Sequence, residues 1–183
     1  MIAFHQIDAA FSATECAQLV EIARAAPSQD AGLVRAGRDH NLRRADLTWV
    51  DDLPETAWVM DRLIDLVRQA NRAVFDFDLQ DFSESPQIAR YGAEREGHFG
   101  WHSDIGDSPL AARRKLTLVT QLSEEGAYAG GTLEVWMNAN VATAPLKQGT
   151  AVLFPSFALH RVQPVTEGER FSLTVWAHGP AFR

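Results

Sequence analysis

Apolar residues fall along this chain in two rhythms, and the change between them comes near residue 75. Before it the spacing is helical. Ser12-Ala13-Thr14-Glu15 has the form of a capping box. Cys16, Leu19, Val20 and Ala23 then share one helical face, so a helix is predicted from there to about Ala26, where Pro27 stops it. Pro54 suits the first turn of a second helix, predicted to run to about Val74. Its Met60, Leu63, Ile64, Val67, Ala70 and Val74 form a wide apolar stripe opposite Asp61, Arg62, Asp65, Arg68, Gln69 and Arg72. Such a helix needs a surface to cover, and a sheet is the expected one. Short strands are predicted at 4–7 and 47–50. Between them, 28–46 reads as irregular and locally basic, with Arg35, Arg38, Arg43 and Arg44 against Asp30 and Asp39. That stretch is either a solvated loop or hairpin, or a loop over the mouth of a site.

From residue 75 the pattern becomes short alternating runs broken by turn residues. Candidate strands are 75–79, 87–91, 98–102, 115–122, 132–136, 140–144, 150–154, 159–164 and 170–178. A run of short strands behind two helices predicts a mainly β protein with supporting helices (α+β), its sandwich or jelly-roll core packed against N-terminal helices. No linker divides the chain. It reads as a single domain over 1–183, with helical support and substrate-side loops in 1–80 and the core in 81–183.

Composition narrows the class. With 46% hydrophobic and 22% charged residues in 183, the chain can bury a real core, and disorder or low complexity is excluded. No apolar run approaches the ~20 residues of a membrane span, and the opening residues lack a basic region followed by an apolar one, so no secretory signal is visible. The single cysteine, Cys16, cannot form an internal disulfide, which fits a reducing compartment; a cytoplasmic location is expected. A net charge of −7 argues against a nucleic-acid partner, and no membrane partner is expected. The pattern leaves the oligomeric state unread.

Candidate chemistry centres on His98-Phe99-Gly100-Trp101-His102-Ser103-Asp104. On extended backbone, residues two apart face the same side, so His102 and Asp104 can reach one metal. A third ligand is offered by His160, after a strand and a Pro/Ser turn. Two imidazoles and one carboxylate make the facial triad of non-haem Fe(II) sites, although zinc can use the same ligands. Ten residues later, Arg170, Ser172, Thr174 and Trp176 alternate with Phe171, Leu173 and Val175. A guanidinium aimed into a core needs an anion, and its fork fits a carboxylate. A dicarboxylate satisfies both facts: one end chelates metal and the other pairs with Arg170 and Ser172, as 2-oxoglutarate does.

The order His102-x-Asp104, His160, Arg170-x-Ser172 resembles the Fe(II)/2-oxoglutarate-dependent dioxygenases, in their prolyl-4-hydroxylase-like branch of PKHD-type hydroxylases. Further landmarks are Arg90-Tyr91 with Gly97, Arg114 to Ser123, Tyr128-Ala-Gly-Gly-Thr-Leu133, Gly149 to Ser156, Leu159 to Val165 and Gly168 to Ser172. The ending Trp176 to Arg183 is similar to small bacterial and phage hydroxylases. The resemblance covers 85–183 and implies a double-stranded β-helix. It implies His102, Asp104 and His160 as iron ligands, Arg170 as the anchor of the distal 2-oxoglutarate carboxylate, and Tyr91 and Trp176 as walls of the co-substrate pocket. Where many relatives carry a tyrosine, this chain has Gln121; alternation with Thr117 and Val119 aims it inward, where its amide could donate to a carboxylate.

The implied reaction hydroxylates an unactivated C–H bond of a prolyl, peptidyl or amino-acid substrate. It uses Fe(II), 2-oxoglutarate and O2, releases succinate and CO2, and has L-ascorbate (vitamin C) as reductant. Asp104 disfavours halogenation, which needs that ligand position vacant. Trp176 stands where similar nucleic-acid demethylases carry a second arginine. Rival readings are a non-catalytic jelly-roll that binds metal or 2-oxoglutarate as a sensor or scaffold, a zinc-dependent cupin-like enzyme, and a hydroxylase of a small metabolite that is not an amino acid. Arg35 to Arg44 and Ile105 to Arg113 are the expected mouth, so charge reversal at Arg38 or Arg43 should raise the KM of an acidic substrate. Bland roles are expected for His5, His40, Trp101 and His178, and Gly130-Gly131 is expected to be a positive-φ turn.

Overall fold

The computed structural model describes residues 4–31, 33–34, 37–38 and 42–182, with the side chains at 33, 34, 37, 38 and 54 outside that description. In chain order, the first half holds β1 (His5–Ile7), α1 (Ala13–Ala25), β2 (Gln29–Asp30), β3 (Leu33–Val34), β4 (Gly37–Arg38), β5 (Arg43–Arg44), β6 (Asp46–Trp49) and α2 (Ala57–Ala70). The second half begins with β7 (Gln87–Gly92), β8 (His98–His102), β9 (Arg114–Gln121), β10 (Tyr128–Gly130) and β11 (Leu133–Met137). It ends with β12 (Asn140–Thr143), β13 (Ala151–Pro155), β14 (His160–Val162) and β15 (Val165–His178).

Among the described residues two main antiparallel sheets form, beside the two-stranded pair of β3 and β4. The larger runs β1-β13-β9-β15-β7-β6-β2, with β10 also paired to β15; the smaller runs β12-β11-β14-β8-β5. The long β15 lies at the centre of the larger sheet, paired with β7 from Glu169 to Thr174 and with β9 from Ser172 to His178. Period-2 alternation decides what each face touches. Phe171, Leu173, Val175 and Ala177 of β15 join Ile88, Leu116 and Leu118 against Cys16, Leu19 and Val20 of α1 and Val59, Leu63 and Val67 of α2. The opposite face meets the smaller sheet. There Ala89, Tyr91, Val119, Val152 and Phe154 pack with Leu133, Val135 and Val162. The helices therefore buttress one side of the larger sheet, and the site lies on its other side. This is the jelly-roll with N-terminal helical support that the pattern predicts.

Local chemistry explains the boundaries. Ser12 Oγ accepts from the Glu15 N–H while Glu15 Oε2 accepts from the Ser12 N–H, so the capping box closes as expected. Gly130 and Gly131 both take positive φ (74° and 62°). At Gly131 a Cβ would lie 3.0 Å from Arg170 Cδ, so the missing side chain leaves room for that arginine.

Three expectations need correction. The predicted strand 75–79 does not form: Asn71–Phe75 is a π turn closed by left-handed Asp76, and the Asn71 side chain bonds both the N–H and the C=O of Phe77. The alternation of Phe75, Phe77 and Leu79 instead reflects packing on the helix-sheet core. Because the α-helix ends at Ala70, Val74 leaves the predicted stripe and is 41% exposed. Within 28–46, read as irregular, β2 extends the larger sheet, β5 extends the smaller one, and β3 and β4 pair with each other. Arg35, Asp39 and His40, and the Arg38 side chain, lie outside the described residues. Among the described residues no helix is long and apolar enough to cross a membrane.

Candidate metal centre

β8 and β14 are neighbours in the smaller sheet, and their register sets His102 opposite His160. Asp104 follows β8, and its N–H donates to Ser156 O, which ties the loop to the turn before β14. The potential ligand atoms of His102, Asp104 and His160 all lie within 4.8 Å of one another. His102 Nε2 is 3.7 Å from Asp104 Oδ1, and His160 Nε2 is 3.5 Å from Asp104 Oδ2. These gaps are too long for hydrogen bonds and suit a shared ion.

Each imidazole is fixed from behind. His102 Nδ1–H donates to Gly100 O at 2.7 Å, and His160 Nδ1–H to Ala158 O at 3.0 Å. A carbonyl can only accept, so both Nε2 atoms are left as acceptors facing Asp104. Burial, with the charge of His160, holds His102 down at about 4 despite Asp104. Burial raises Asp104, but His160, His102 and the Thr117 hydroxyl outweigh it, leaving the carboxyl at about 2. Near neutral pH the trio is an ionised carboxylate with a neutral His102 imidazole beside it, the forms a metal requires. Thr117 Oγ1 donates to Asp104 Oδ2 at 2.6 Å. The Arg114 guanidinium donates to Asp104 O at 3.0 Å, pairs with Glu84, and lies 4.0 Å over the Trp176 ring. This donor set fits Fe(II), with positions left over for further ligands.

The centre opens on a cavity of about 690 Å³ between the sheets. Arg170, Ser172, Thr174 and Trp176 line it from β15, with Tyr91 and Gln87 from β7. Arg170 is 3% exposed. Its Nε–H donates to Gln121 Oε1 at 3.1 Å, its Nη1 to Ser172 Oγ at 3.4 Å, and its guanidinium lies 5.6 Å from the Tyr91 ring centroid. Among the described residues no carboxylate pairs with it. A buried guanidinium served by neutral acceptors alone fits an incoming carboxylate, which is what the distal end of 2-oxoglutarate would supply.

The structure brings most of the residues named from the sequence to this cavity and one elsewhere. Gln121 does not line the main cavity. An Arg Nε–H can only donate, so Oε1 must face Arg170, and Gln121 Nε2 donates to Ser123 O and Tyr128 Oη. Its amide is therefore spent on protein acceptors, and Gln121 aims Arg170 from behind. Trp176 and Tyr91 do line the cavity, as do Leu42, Arg43 and Ile105 to Ser108 from the two expected mouth segments. Sequence reasoning missed Thr117 as the partner of Asp104, and the Phe99 ring stacked on His102 at 3.5 Å. Alternation aims Thr117 inward but does not name its partner. His178 has the expected buried role, accepting from Ser83 N–H and donating to Glu84.

Comparison with known proteins bears on the family and the fold. The sequence model of the 2OG-Fe(II) oxygenase superfamily matches residues 86–178, half of the chain. A PKHD-type hydroxylase of Pseudomonas putida is 35% identical over 85 residues, 44% of this chain and 38% of the relative. One of Shewanella oneidensis is 40% identical over 81 residues, 43% of this chain and 36% of the relative. The matched stretch is thus well under half the length of either. Among solved structures, a Pseudomonas putida prolyl-4-hydroxylase superposes with TM-score 0.75 at 23% identity, over 99% of this chain and 95% of the other. A Trichoplax adhaerens prolyl hydroxylase, in complex with a hypoxia inducible factor oxygen degradation domain peptide fragment, gives 0.80 at 16%, over 96% and 83%. At these identities the structures establish a shared fold. Together with the family match, they place the chain in the 2OG-Fe(II) oxygenase superfamily.

Proposed function

We propose that the protein is an Fe(II)- and 2-oxoglutarate-dependent hydroxylase of an unactivated C–H bond in a prolyl, peptidyl or amino-acid substrate. One observation carries the reading: the His102, Asp104 and His160 cluster and the uncompensated Arg170 face the same cavity. A zinc hydrolase or a metal-binding scaffold has no need of the second feature, and a 2-oxoglutarate enzyme needs both.

His102, Asp104 and His160 would hold the metal. When bound, Fe(II) with 2-oxoglutarate and O2 supplies the oxidising power, with succinate and CO2 as co-products and one oxygen atom entering the substrate. The chain's own residues supply geometry. Arg170 and Ser172 orient the distal carboxylate, and Gln121 keeps Arg170 aimed. Thr117 holds one Asp104 oxygen, so the carboxylate presents a fixed face. Tyr91 and Trp176 wall the co-substrate, and Leu133 and Val162 keep the cavity dry on the side of the smaller sheet. L-Ascorbate as reductant belongs to this proposal through the family resemblance.

The test is succinate formation. Purified protein given Fe(II), 2-oxoglutarate, ascorbate and air should convert 2-oxoglutarate to succinate, slowly alone and faster with a true substrate, and His102→Ala should abolish both. Absence of succinate from iron-loaded protein across a peptide and amino-acid library would refute the enzyme reading.

A further inference from the structure

Among the described residues three guanidinium groups line the cavity: Arg43, Arg114 and Arg170. Arg114 is paired with Glu84. Arg170 is assigned above to the co-substrate. Arg43 is left over. β5 runs beside β8 with Arg43 opposite Phe99 and Arg44 opposite His98, and Gly100 N–H donates to Leu42 O at 2.7 Å, so its backbone is fixed against the strand that carries His102. Neighbouring residues on a strand face opposite sides, and the two arginines diverge accordingly. Arg44 bonds Arg95 O and the Glu96 carboxylate. Arg43 lies 4.5 Å over the Phe99 ring, its Nε is buried with no hydrogen-bond partner, and among the described residues no carboxylate pairs with it. Phe99 in turn stacks on His102 at 3.5 Å and 13°. Through that stack the guanidinium stands one ring away from the metal centre. Its charge is also one of the influences that depress His102.

We infer that Arg43 is the substrate-side anion anchor: the molecule to be hydroxylated carries a carboxylate that pairs with Arg43 while its apolar body lies on Leu42, Leu47, Trp49 and Phe99. This rests on the reading of the cavity as a 2-oxoglutarate-dependent site. Two observations favour it over a packing role. A cavity-lining cation held on an aromatic face, with its Nε–H buried and unpartnered, lacks the acceptors that an anion entering the cavity would supply. Leu42, Leu47, Trp49 and Phe99, which line the cavity with it, are apolar and offer that cation no side-chain acceptor. A cavity of about 690 Å³ has room for a small acid or a peptide side chain beside 2-oxoglutarate.

The carboxylate could be the α-carboxylate of a free amino acid or an acidic side chain in a peptide, and one binding experiment separates the two. Protein loaded with Mn(II) and 2-oxoglutarate is titrated calorimetrically with the free L-amino acids and their carboxamides. End-blocked tripeptides carrying Asp or Glu, against Asn or Gln, form the second arm. At least one acid should bind at least about tenfold tighter than its amide, since hydrogen bonds to a charged group contribute a ten- to hundredfold margin. The arm in which this happens names the source. Arg43→Gln should erase the acid-to-amide ratio and Arg43→Lys should restore part of it, with 2-oxoglutarate affinity unchanged within threefold in both. Equal binding of acids and amides, survival of the ratio in Arg43→Gln, or no binding of any acid would overturn the inference. If 2-oxoglutarate itself fails to bind, the reading of Arg170 falls; if it binds and the ratio is one, only Arg43 does.

Discussion

Replacing Arg170 with Met separates the two things a buried arginine can do. In the protein without ligand the guanidinium is 3% exposed and has only neutral acceptors, Gln121 Oε1 at 3.1 Å and Ser172 Oγ at 3.4 Å. Desolvating an ion costs several kcal/mol when no counter-charge offsets it, and apolar replacements of buried charges are often stabilising by about 1–4 kcal/mol. Met has comparable reach and no charge, while leaving Gln121 Oε1 without its donor takes back about 1 kcal/mol. The metal-free Arg170→Met protein should therefore be more stable than the parent by about 1 kcal/mol, a rise in Tm of about 2–4 °C for a chain of this size. With 2-oxoglutarate the sign reverses. Losing one partner of a buried charge pair costs about 3–5 kcal/mol, so the 2-oxoglutarate Kd should rise on the order of 10²–10³-fold. Urea denaturation in EDTA and anaerobic calorimetry with Mn(II) measure the two quantities. A variant that loses more than about 2 kcal/mol of stability yet binds 2-oxoglutarate normally would show Arg170 to be a structural residue, and the site argument would fail.

Thr117→Val removes the donor to Asp104 Oδ2 at nearly constant volume, and Mn(II) affinity should drop about 10–100-fold; an unchanged isotherm would show that the carboxylate needs no such support. Glu84 gives a pH test away from the metal. Burial raises its pKa, but the hydrogen bonds and charges of Arg114 and His178 outweigh that and hold it at about 2, against 4.5 unperturbed. Its contribution, about 3 kcal/mol, is present above pH 4.5 and lost as pH falls from there toward 2. Denaturation curves for Glu84→Gln should consequently be flatter with pH over that window, and parallel curves for parent and variant would refute the assignment. Leu63→Ala empties a fully buried position between α2 and the larger sheet and should cost about 2–5 kcal/mol in urea melts; a cost under 1 kcal/mol would mean that the helix does not buttress the sheet as described.

The candidate site was unusually legible because its parts are strand residues. Alternation in β15 alone separates Arg170, Ser172, Thr174 and Trp176 from Phe171, Leu173 and Val175, and the structure puts the first set on the cavity and the second under the helices. His160 lies opposite His102 in register, while Asp104 lies past the end of β8 and is brought to the imidazoles by a loop that its N–H ties to Ser156 O. What stayed hidden depends on partners distant in sequence. Alternation aims Gln121 inward, and it is buried, but its hydrogen bonds go to Arg170, Ser123 and Tyr128 rather than into the cavity, a choice that no spacing encodes. The false strand at 75–79 shows the converse limit: Phe75, Phe77 and Leu79 alternate, but Asn71 satisfies the Phe77 backbone that a neighbouring strand would otherwise need to pair. The sequence names Arg43 together with Arg38 as a mouth residue for an acidic substrate, and its pairing opposite Phe99 is what singles it out.

The central claim is that His102, Asp104 and His160 bind Fe(II) in the same cavity where Arg170 holds 2-oxoglutarate. Its most direct test is a crystal structure grown anaerobically with Fe(II) and 2-oxoglutarate. Anomalous density at the iron edge should sit among the three side chains, and the far carboxylate of a chelating 2-oxoglutarate should lie within hydrogen-bond distance of Arg170. Iron bound elsewhere, or 2-oxoglutarate bound with its distal carboxylate away from Arg170, would contradict the account.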